Sequence, residues 1–384
     1  KTPFYLYSEN QIINNFLKFK KVFKKTNPLI CFAAKSNSNV SILKTLGKLG
    51  AGTDVVSGGE LLKALKAGIK PNKVVFSGVG KNEDELRIAI NKKILLINCE
   101  SESEAKLIDK IARKLRKKVS IGFRLNPNID AKTHQKISTG KAENKFGLSI
   151  KNFKSFYKSI KKYKNINLDA LSVHIGSQIL SDVPYKKMLN VMSNLIKELK
   201  LDLKFLDLGG GFGIRYNEKD KPINLKKYSD SVNKLAKKLK CKIIFEPGRS
   251  IIGDTGILLS KIQYIKKGAK KDFIIIDAGM NDFMRPALYD AVHKIIPIRK
   301  SKSKLKGTIE FVGPICESTC KFGSYKNYQK MSENDFVAIT NVGAYGSSLS
   351  SNYNSRPLIA ELLVNKNKIK YIRKKQDLLK LINS

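Results

Sequence analysis

The feature of this 384-residue sequence that most constrains its fold is an alternation of short apolar, β-rich runs with amphipathic helical patterns. The β-rich runs are residues 29–33, 54–56, 73–76, 94–97, 119–125, 168–175, 205–208 and 243–245. Eight runs over roughly 220 residues match the order and size of a (β/α)₈ barrel, which typically has about 250 residues. An open doubly wound sheet has the same local alternation, and periodicity alone does not exclude it. We therefore predict an α/β fold built on a TIM barrel.

The pattern changes after about residue 250. Strand-like runs then recur with few helical patterns between them, at residues 257–265, 273–278, 307–312, 336–340 and 357–364. This spacing is typical of an all-β domain. We predict two domains: a barrel over residues 10–250, and a C-terminal β domain over residues 251–384 that also takes in the N-terminal strand (residues 1–9).

The charge of the sequence is strongly positive, with 74 Lys and Arg residues against 32 Asp and Glu residues, a formal net charge of +42. Such a charge is a feature of nucleic-acid-binding chains. Here only ten of the basic residues are Arg, and the lysines are spread along the whole chain without an aromatic-basic cluster. Solvated helical faces explain them better, so we expect no nucleic acid partner. Each Arg is therefore a candidate anion-binding residue, because its planar guanidinium can bind an anion through two hydrogen bonds.

Cysteine usage and hydropathy bear on the compartment. Five cysteines in a chain of this length are too few and too odd in number for a disulfide scaffold, and no CxxC or HExxH motif indicates a metal site. No apolar run approaches the roughly 18 residues of a membrane span, and no secretory signal opens the sequence. We expect a cytoplasmic protein without a membrane partner.

Several β-rich runs end in residues that can do chemistry. They are Lys35 after the first run, Arg124 at the end of the fifth, His174 and Ser177 at the sixth, Gly209, Gly210 and Gly211 after the seventh, and Glu246, Gly248 and Arg249 after the eighth. Each alone has a structural explanation: a surface lysine, a core histidine, a tight turn. TIM barrels carry their active sites at the C-terminal ends of the strands. Convergence at one barrel end therefore favours a functional site.

This set of side chains meets the needs of pyridoxal phosphate. A desolvated lysine can serve as a nucleophilic amine. Three glycines, a serine and an arginine suit a phosphate, because backbone N–H groups can approach closely and a guanidinium adds a charged fork. The imidazole of His174 can stack on a pyridine ring, and the carboxylate of Glu246 can keep the ring nitrogen protonated. The sequence therefore predicts pyridoxal 5′-phosphate as the cofactor.

Ordered motifs along nearly the whole chain resemble the pyridoxal-phosphate-dependent decarboxylases of the alanine-racemase fold type. They are FAAKSNSN (32–39), GTDVVSGGE (52–60), FSGVGK (76–81), KISTG…NKFG (136–147), HIGSQI (174–179), DLGGGFGI (207–214), EPGR (246–249), MRPALYDAVH (284–293), GPICES (313–318) and GAYG (343–346). The fourth and eighth are similar to the diaminopimelate branch of that family. The resemblance implies a lyase that decarboxylates meso-2,6-diaminopimelate to L-lysine, the last step of lysine biosynthesis.

The resemblance also implies roles around the cofactor. Lys35 is similar to the family's Schiff-base lysine, His174 to the histidine that stacks on the ring, and Glu246 to the carboxylate that pairs with the ring nitrogen. The remaining cofactor-binding positions implied are Asp54, Arg124, Ser177, Gly209, Gly210, Gly211, Gly248, Arg249 and Tyr345.

Substrate binding is implied for five positions, namely Arg249, Arg285, Tyr289, Glu317 and Tyr345. The arginines would bind the substrate carboxylates and the acidic side chain its distal amine, as charge complementarity requires. Cys316 resembles the residue that protonates the carbanion, and a thiol titrates near enough to neutrality to do so. In the family this cysteine comes from the neighbouring subunit, which implies a homodimer with active sites at the subunit interface.

Two positions depart from the family pattern. Thr319-Cys320 stands where the family usually has a small residue and Asp, and Val292 where it often has an aromatic residue. One alternative therefore keeps the fold and cofactor but acts on ornithine, arginine or a carboxylated polyamine. An alternative of another class is a nucleic-acid-binding protein, suggested by the charge alone.

Overall fold

A computed structural model describes residues 1–131, 135–137 and 139–383; Ser138 of the KISTG motif lies outside the described residues. The chain divides into two compact units. The barrel unit comprises residues Ile13–Ile214 and Lys221–Ile251, and the sheet unit comprises Lys1–Ile12, Arg215–Asp220 and Ile252–Ser384. The chain opens with strand β1 (Phe4–Ser8) and helix α1 (Glu9–Val22).

In the described part of the barrel unit, eight parallel strands close into a ring. They are β2 (Leu29–Ala33), β3 (Gly52–Val55), β4 (Val74–Phe76), β5 (Leu96–Cys99), β6 (Val119–Asn126), β8 (Ile166–Val173), β9 (Phe205–Asp207) and β10 (Lys242–Phe245). The short β7 (Leu148–Ser149) pairs only with β6. The ring closes because β10 pairs with β2 and β5 pairs with β6. The predicted TIM barrel is confirmed.

Helices cover the sequence between these strands. They are α2 (Val40–Lys48), α3 (Gly58–Lys66), α4 (Glu83–Asn91), α5 (Glu102–Lys114), α6 (Ile150–Ser159), α7 (Val183–Glu198), α8 (Leu225–Leu239) and the short α9 (Arg249–Ile252). Most begin after a Ser or Asn whose side chain accepts a hydrogen bond from the first turn, which satisfies an otherwise unpaired N–H group. These residues are Asn39, Ser57, Asn82, Ser101, Ser149 and Asn224.

The barrel core is apolar. Cys31, Val75, Leu96, Ala170 and Ile244, each from a different strand, are fully buried against one another. Burial of apolar area on this scale is the main force that holds a barrel closed. The polar side chains that matter for chemistry therefore gather at the carboxyl ends of the strands.

The sheet unit is mostly β-structure. Its further strands are β11 (Gly256–Lys266), β12 (Asp272–Ile276), β13 (Ile295–Pro297), β14 (Thr308–Val312), β15 (Lys321–Lys326), β16 (Phe336–Ile339), β17 (Ala360–Asn365) and β18 (Lys368–Arg373), and its helices are α10 (Arg285–Tyr289) and α11 (Leu378–Ile382). The main path runs β15-β14-β12-β11-β1-β17-β18, and β16 pairs with β11 and β13. The predicted β domain that takes in the N-terminal strand is confirmed, since β1 lies between β11 and β17. Among the described residues, no helix is both long and apolar enough to span a membrane.

Candidate active site

Lys35 lies in the turn that follows β2, and its amine faces a buried acid. Its Nζ is 3.9 Å from Oδ2 of Asp54, which is fully buried in β3. The Lys35 side chain remains 35% exposed. Burial raises the pKa of Asp54, while the charge of Lys35 lowers it. The amine is thus held beside a counter-charge yet stays open at the end of the barrel.

Glu246 follows β10 and belongs to a group of buried acids. Burial raises the pKa of Glu246 well above its usual value, and the nearby carboxylates of Asp207 and Asp54 raise it further. Its Oε1 accepts a long hydrogen bond from Ser77 Oγ at 3.4 Å, and its N–H donates to Gly209 O at 2.8 Å. Burial and the nearby carboxylates thus favour the protonated form of Glu246, the form that can share a proton with a ring nitrogen.

His174 directly follows β8, and its surroundings favour the neutral imidazole. Burial lowers the pKa of His174 well below its usual value, and the positive charges of Lys35 and Arg124 lower it further. Its Nδ1 accepts a hydrogen bond from Gly210 N at 3.2 Å. Because Nδ1 is an acceptor, the ring proton lies on Nε2. An uncharged, oriented ring is suited to stacking on a flat cofactor.

A compact turn and two side chains lie together in a corner whose chemistry suits an anion. Arg249 Nη2 donates to Ser177 Oγ at 3.1 Å, and Ser177 N donates to Ile137 O of the KISTG motif at 3.1 Å. The glycine turn adjoins them, since Ile179 N donates to Gly211 O at 2.9 Å. A hydroxyl, a guanidinium and glycine backbone together suit a phosphate group.

Gly211 provides a test of how tightly this turn is built. Its φ is +89°, and a Cβ there would lie 2.2 Å from Gly176 O. Gly50 has nearly the same φ, +91°, but open space around a Cβ. We expect Gly50→Ala to cost about 1 kcal/mol of unfolding free energy from backbone strain, and Gly211→Ala about 3 kcal/mol or more, because the clash adds to that strain. Urea unfolding of both variants measures the difference; equal losses would show that the turn has room.

Pyridoxal phosphate fits these residues. The site offers a partly exposed amine beside a buried acid, a carboxyl group whose pKa is raised by burial, and an imidazole whose pKa is lowered by burial. At the phosphate corner, a Cβ on Gly209 would lie 2.9 Å from His174 Nδ1, so the turn must stay without side chains. Arg124, also predicted for this site, lies at the end of β6 with its Nη1 3.1 Å from Glu100 Oε1. The structure brings the predicted barrel residues together at one end of the ring.

The remaining predicted residues belong to the sheet unit. Arg285 begins α10 and is buried; its Nη1 donates to Tyr216 OH at 3.2 Å and its guanidinium lies over the Tyr216 ring at 5.0 Å. Tyr289 ends the same helix and is half-buried. Tyr345 has φ +56°, a strained conformation for an aromatic residue, which is often found at functional sites.

Cys316 and Glu317 are both exposed on the sheet unit. Glu317 accepts hydrogen bonds from Tyr353 OH and from Thr319 Oγ1, the latter at 3.1 Å, and these bonds lower the pKa of Glu317. Cys316 is a free thiol. Thr319, which departs from the family pattern, thus helps to stabilise the charged form of Glu317.

The other departures differ in their surroundings. Cys320 is 3% exposed, and its Sγ accepts a hydrogen bond from Met280 N at 3.3 Å. The thiol therefore fills a buried position and satisfies a backbone donor. Val292 is exposed.

Sequence reasoning missed several buried polar residues beneath the site. Asp207 Oδ1 accepts from Gly209 N at 3.0 Å, and its Oδ2 accepts from Asn98 Nδ2 at 2.9 Å and Ser172 Oγ at 3.2 Å. Asn98 Nδ2 also reaches Ser77 Oγ at 3.3 Å. The signal for Asp207 was present, since it opens the DLGGGFGI motif at the end of β9.

Comparison with protein families identifies the class to which this site belongs. A family model described as the pyridoxal-binding domain of pyridoxal-dependent decarboxylases matches residues 9–253. The chain therefore belongs to the pyridoxal-dependent decarboxylases. The predicted family and its pyridoxal phosphate cofactor are confirmed.

Within that family, its close relatives share one name. The diaminopimelate decarboxylase of Aquifex aeolicus (strain VF5) is 43% identical, across 98% of this chain and 90% of its own length. The diaminopimelate decarboxylase of Helicobacter pylori (strain J99) is 45% identical, across 98% and 94% respectively. A crystal structure of diaminopimelate decarboxylase from Helicobacter pylori complexed with L-lysine has a TM-score of 0.94 and 44% identity, and the match covers 100% of this chain and 96% of that one.

Proposed function

We propose that this chain is a carboxy-lyase that converts meso-2,6-diaminopimelate to L-lysine and CO₂ with pyridoxal phosphate. The observation that carries the proposal is the group of buried acids around Lys35. Asp54 Oδ2 lies 3.9 Å from the Lys35 amine. Burial raises the pKa of Glu246, and the positive charge of Lys35 lowers it. Relatives that match almost end to end bear the name of this activity.

The barrel residues divide the work of holding the cofactor. Lys35 holds it through its amine, while Ser177, Arg249 and the glycine turn hold its phosphate. His174 supports the ring face as a neutral imidazole. Glu246 would share a proton with the ring nitrogen, and burial, which raises its pKa, favours the protonated carboxyl group. Bound pyridoxal phosphate supplies the electron sink that accepts the electron pair left on Cα when CO₂ departs.

Residues of the sheet unit serve the substrate in this proposal. Arg285 and Tyr289, with Arg249 of the barrel unit, bind its carboxylates, and Glu317 binds its distal amine. Tyr345 would contact cofactor and substrate. Cys316 donates the proton from Sγ to the carbon that has lost CO₂.

We also propose a homodimer in which Cys316 and Glu317 serve the active site of the neighbouring subunit. The exposure of both residues within their own chain supports this. A cytoplasmic location is supported by the state of the five cysteines, all of which are free thiols. Neither a nucleic acid nor a membrane is a partner in this proposal.

A comparison of turnover with four different substrates tests the proposal. CO₂ release by the purified chain loaded with pyridoxal phosphate is measured with diaminopimelate, ornithine, arginine and carboxynorspermidine. We expect turnover of diaminopimelate to exceed each of the others by about 100-fold or more, because the other substrates lack the second carboxylate that Arg249 and Arg285 are proposed to bind. Faster turnover of any other substrate would instead support a decarboxylase of that compound.

A further inference from the structure

Glu100 is a buried carboxylate, directly after β5, to which the proposed chemistry assigns no role. Its Oε1 accepts a hydrogen bond from Arg124 Nη1 at 3.1 Å, and its Oε2 accepts one from Gly147 N at 2.6 Å. Each oxygen thus holds a different segment. One side chain connects Arg124 on β6 to the NKFG segment, residues 144–147.

The NKFG segment packs closely on the end of β6. The guanidinium carbon of Arg124 lies 4.7 Å from the centroid of the Phe146 ring. Gly147 has φ +73°, and a Cβ there would lie 2.9 Å from Asn126 N. The absence of a side chain at this position lets the Gly147 N–H reach Glu100. Arg124 is therefore held by both a carboxylate and an aromatic ring.

The backbone of Glu100 is also held, through a hydrogen bond to Glu104, which forms an ion pair with Lys81. The N–H of Glu100 donates to Glu104 Oε2 at 2.8 Å, and Glu104 Oε1 lies 2.7 Å from Lys81 Nζ. The side chain of Lys81, the last residue of the FSGVGK motif, is fully buried. Two cations thus balance two carboxylates in a buried chain from Lys81 to Arg124. Loss of one member would leave a buried charge uncompensated, unlike loss of an exposed surface pair.

The position of Arg124 matters to other groups of the site. Its positive charge lowers the pKa of His174 and acts in the same direction on Asp54. A displacement of the guanidinium would change the electrostatics of the ring-stacking histidine and of the acid beside Lys35. A residue that fixes Arg124 therefore influences the site without touching the cofactor.

We propose that Glu100 is a positioning residue that holds Arg124 and the NKFG segment in the arrangement that binds pyridoxal phosphate. This inference rests on the proposed function. The inference gives the FSGVGK and NKFG motifs a shared role in positioning Arg124. Lys81 of the first motif and Gly147 of the second are both connected to Glu100, the former through Glu104. A purely structural Glu100 would instead contribute to folding alone.

The test measures the dissociation constant of pyridoxal phosphate, by visible absorbance and equilibrium dialysis, for the full chain and its Glu100→Gln variant. We expect binding to weaken roughly ten-fold in the variant. In an Arg124→Ala background, the same substitution should change the constant by less than about two-fold, because its effect passes through Arg124. The control is Glu102→Gln, an exposed neighbour 3.4 Å from Lys162 Nζ, which should leave the constant unchanged.

Two outcomes overturn the inference: an unchanged constant in the Glu100→Gln variant, or an equal loss with and without Arg124. If Glu100→Gln does not fold, as judged by circular dichroism, Phe146→Leu replaces it. This variant removes the ring beside Arg124 and should weaken binding in the same way, again only while Arg124 is present. Failure of the unaltered chain to bind pyridoxal phosphate would be a different result, since it would contradict the proposed function itself.

Discussion

Replacing Lys35 by alanine is expected to abolish both the visible absorption of the bound cofactor and CO₂ release from diaminopimelate. Lys35 carries the amine that faces the buried Asp54 at the end of the barrel. Removal of a covalent catalyst leaves only binding and electrostatic effects, so we expect the rate to fall by more than about 10⁴-fold. Spectra of the purified variant, together with a CO₂-release assay, measure both effects.

Lys63→Ala is the matched control for this variant. Lys63 is an exposed lysine of the same barrel unit, and its Nζ donates to Ser38 Oγ at 3.1 Å. Its removal should leave the spectrum and the rate unchanged. A Lys35→Ala variant that keeps the absorption band and the activity would show that another amine holds the cofactor.

The second large effect is expected at Glu246. Glu246→Gln removes the carboxyl group that we propose shares a proton with the ring nitrogen, but leaves Lys35 in place. We therefore expect the cofactor to stay bound and to keep its visible absorption, while the rate of decarboxylation falls by roughly 10²- to 10⁴-fold. Glu198→Gln, an exposed residue paired with Lys154, is the control. Full activity of the Glu246 variant would exclude a role for this carboxyl group.

The same substitution should change the stability of the cofactor-free chain in a pH-dependent way. The pKa of Glu246 is raised well above the usual 4.5 by burial and by Asp207 and Asp54. Stability from this group is therefore fully present below about pH 4.5 and is lost as the pH rises through the folded-state pKa. Glutamine does not titrate, so Glu246→Gln should be the more stable chain at neutral pH, on the order of 1 kcal/mol. The advantage should shrink toward pH 4.5; urea unfolding at both pH values would reveal a constant difference if the reasoning fails.

The barrel could be predicted because several of its strands are apolar on both faces, although β3 and β6 carry polar residues. Buried strands such as β2 and β4 form uninterrupted apolar runs, and their order along the chain matches their order in the ring. Strands of the sheet unit with exposed faces were harder to predict. The strand β18 reads KIKYIR and is exposed at most positions, so its lysines obscure the apolar alternation. The domain boundaries at residues 10–250 and 251–384 stay a prediction.

Without the family resemblance, the site could be predicted only where a residue lies at the end of a correctly placed strand. Lys35 and Glu246 lie just beyond the apolar runs at residues 29–33 and 243–245 and were therefore identified. Glu100 was missed because the apolar run was placed at residues 94–97, whereas β5 spans Leu96–Cys99. With the strand ending two residues later, Glu100 becomes the strand-end residue. The assigned roles of these residues stay predictions until the variants are measured.

The most direct measurement of the central claim is the product balance for meso-2,6-diaminopimelate. The purified chain, loaded with pyridoxal phosphate, should form CO₂ and L-lysine in equal amounts, and the Lys35→Ala variant should form neither. CO₂ without L-lysine, or no CO₂ above that of the variant, would contradict the account.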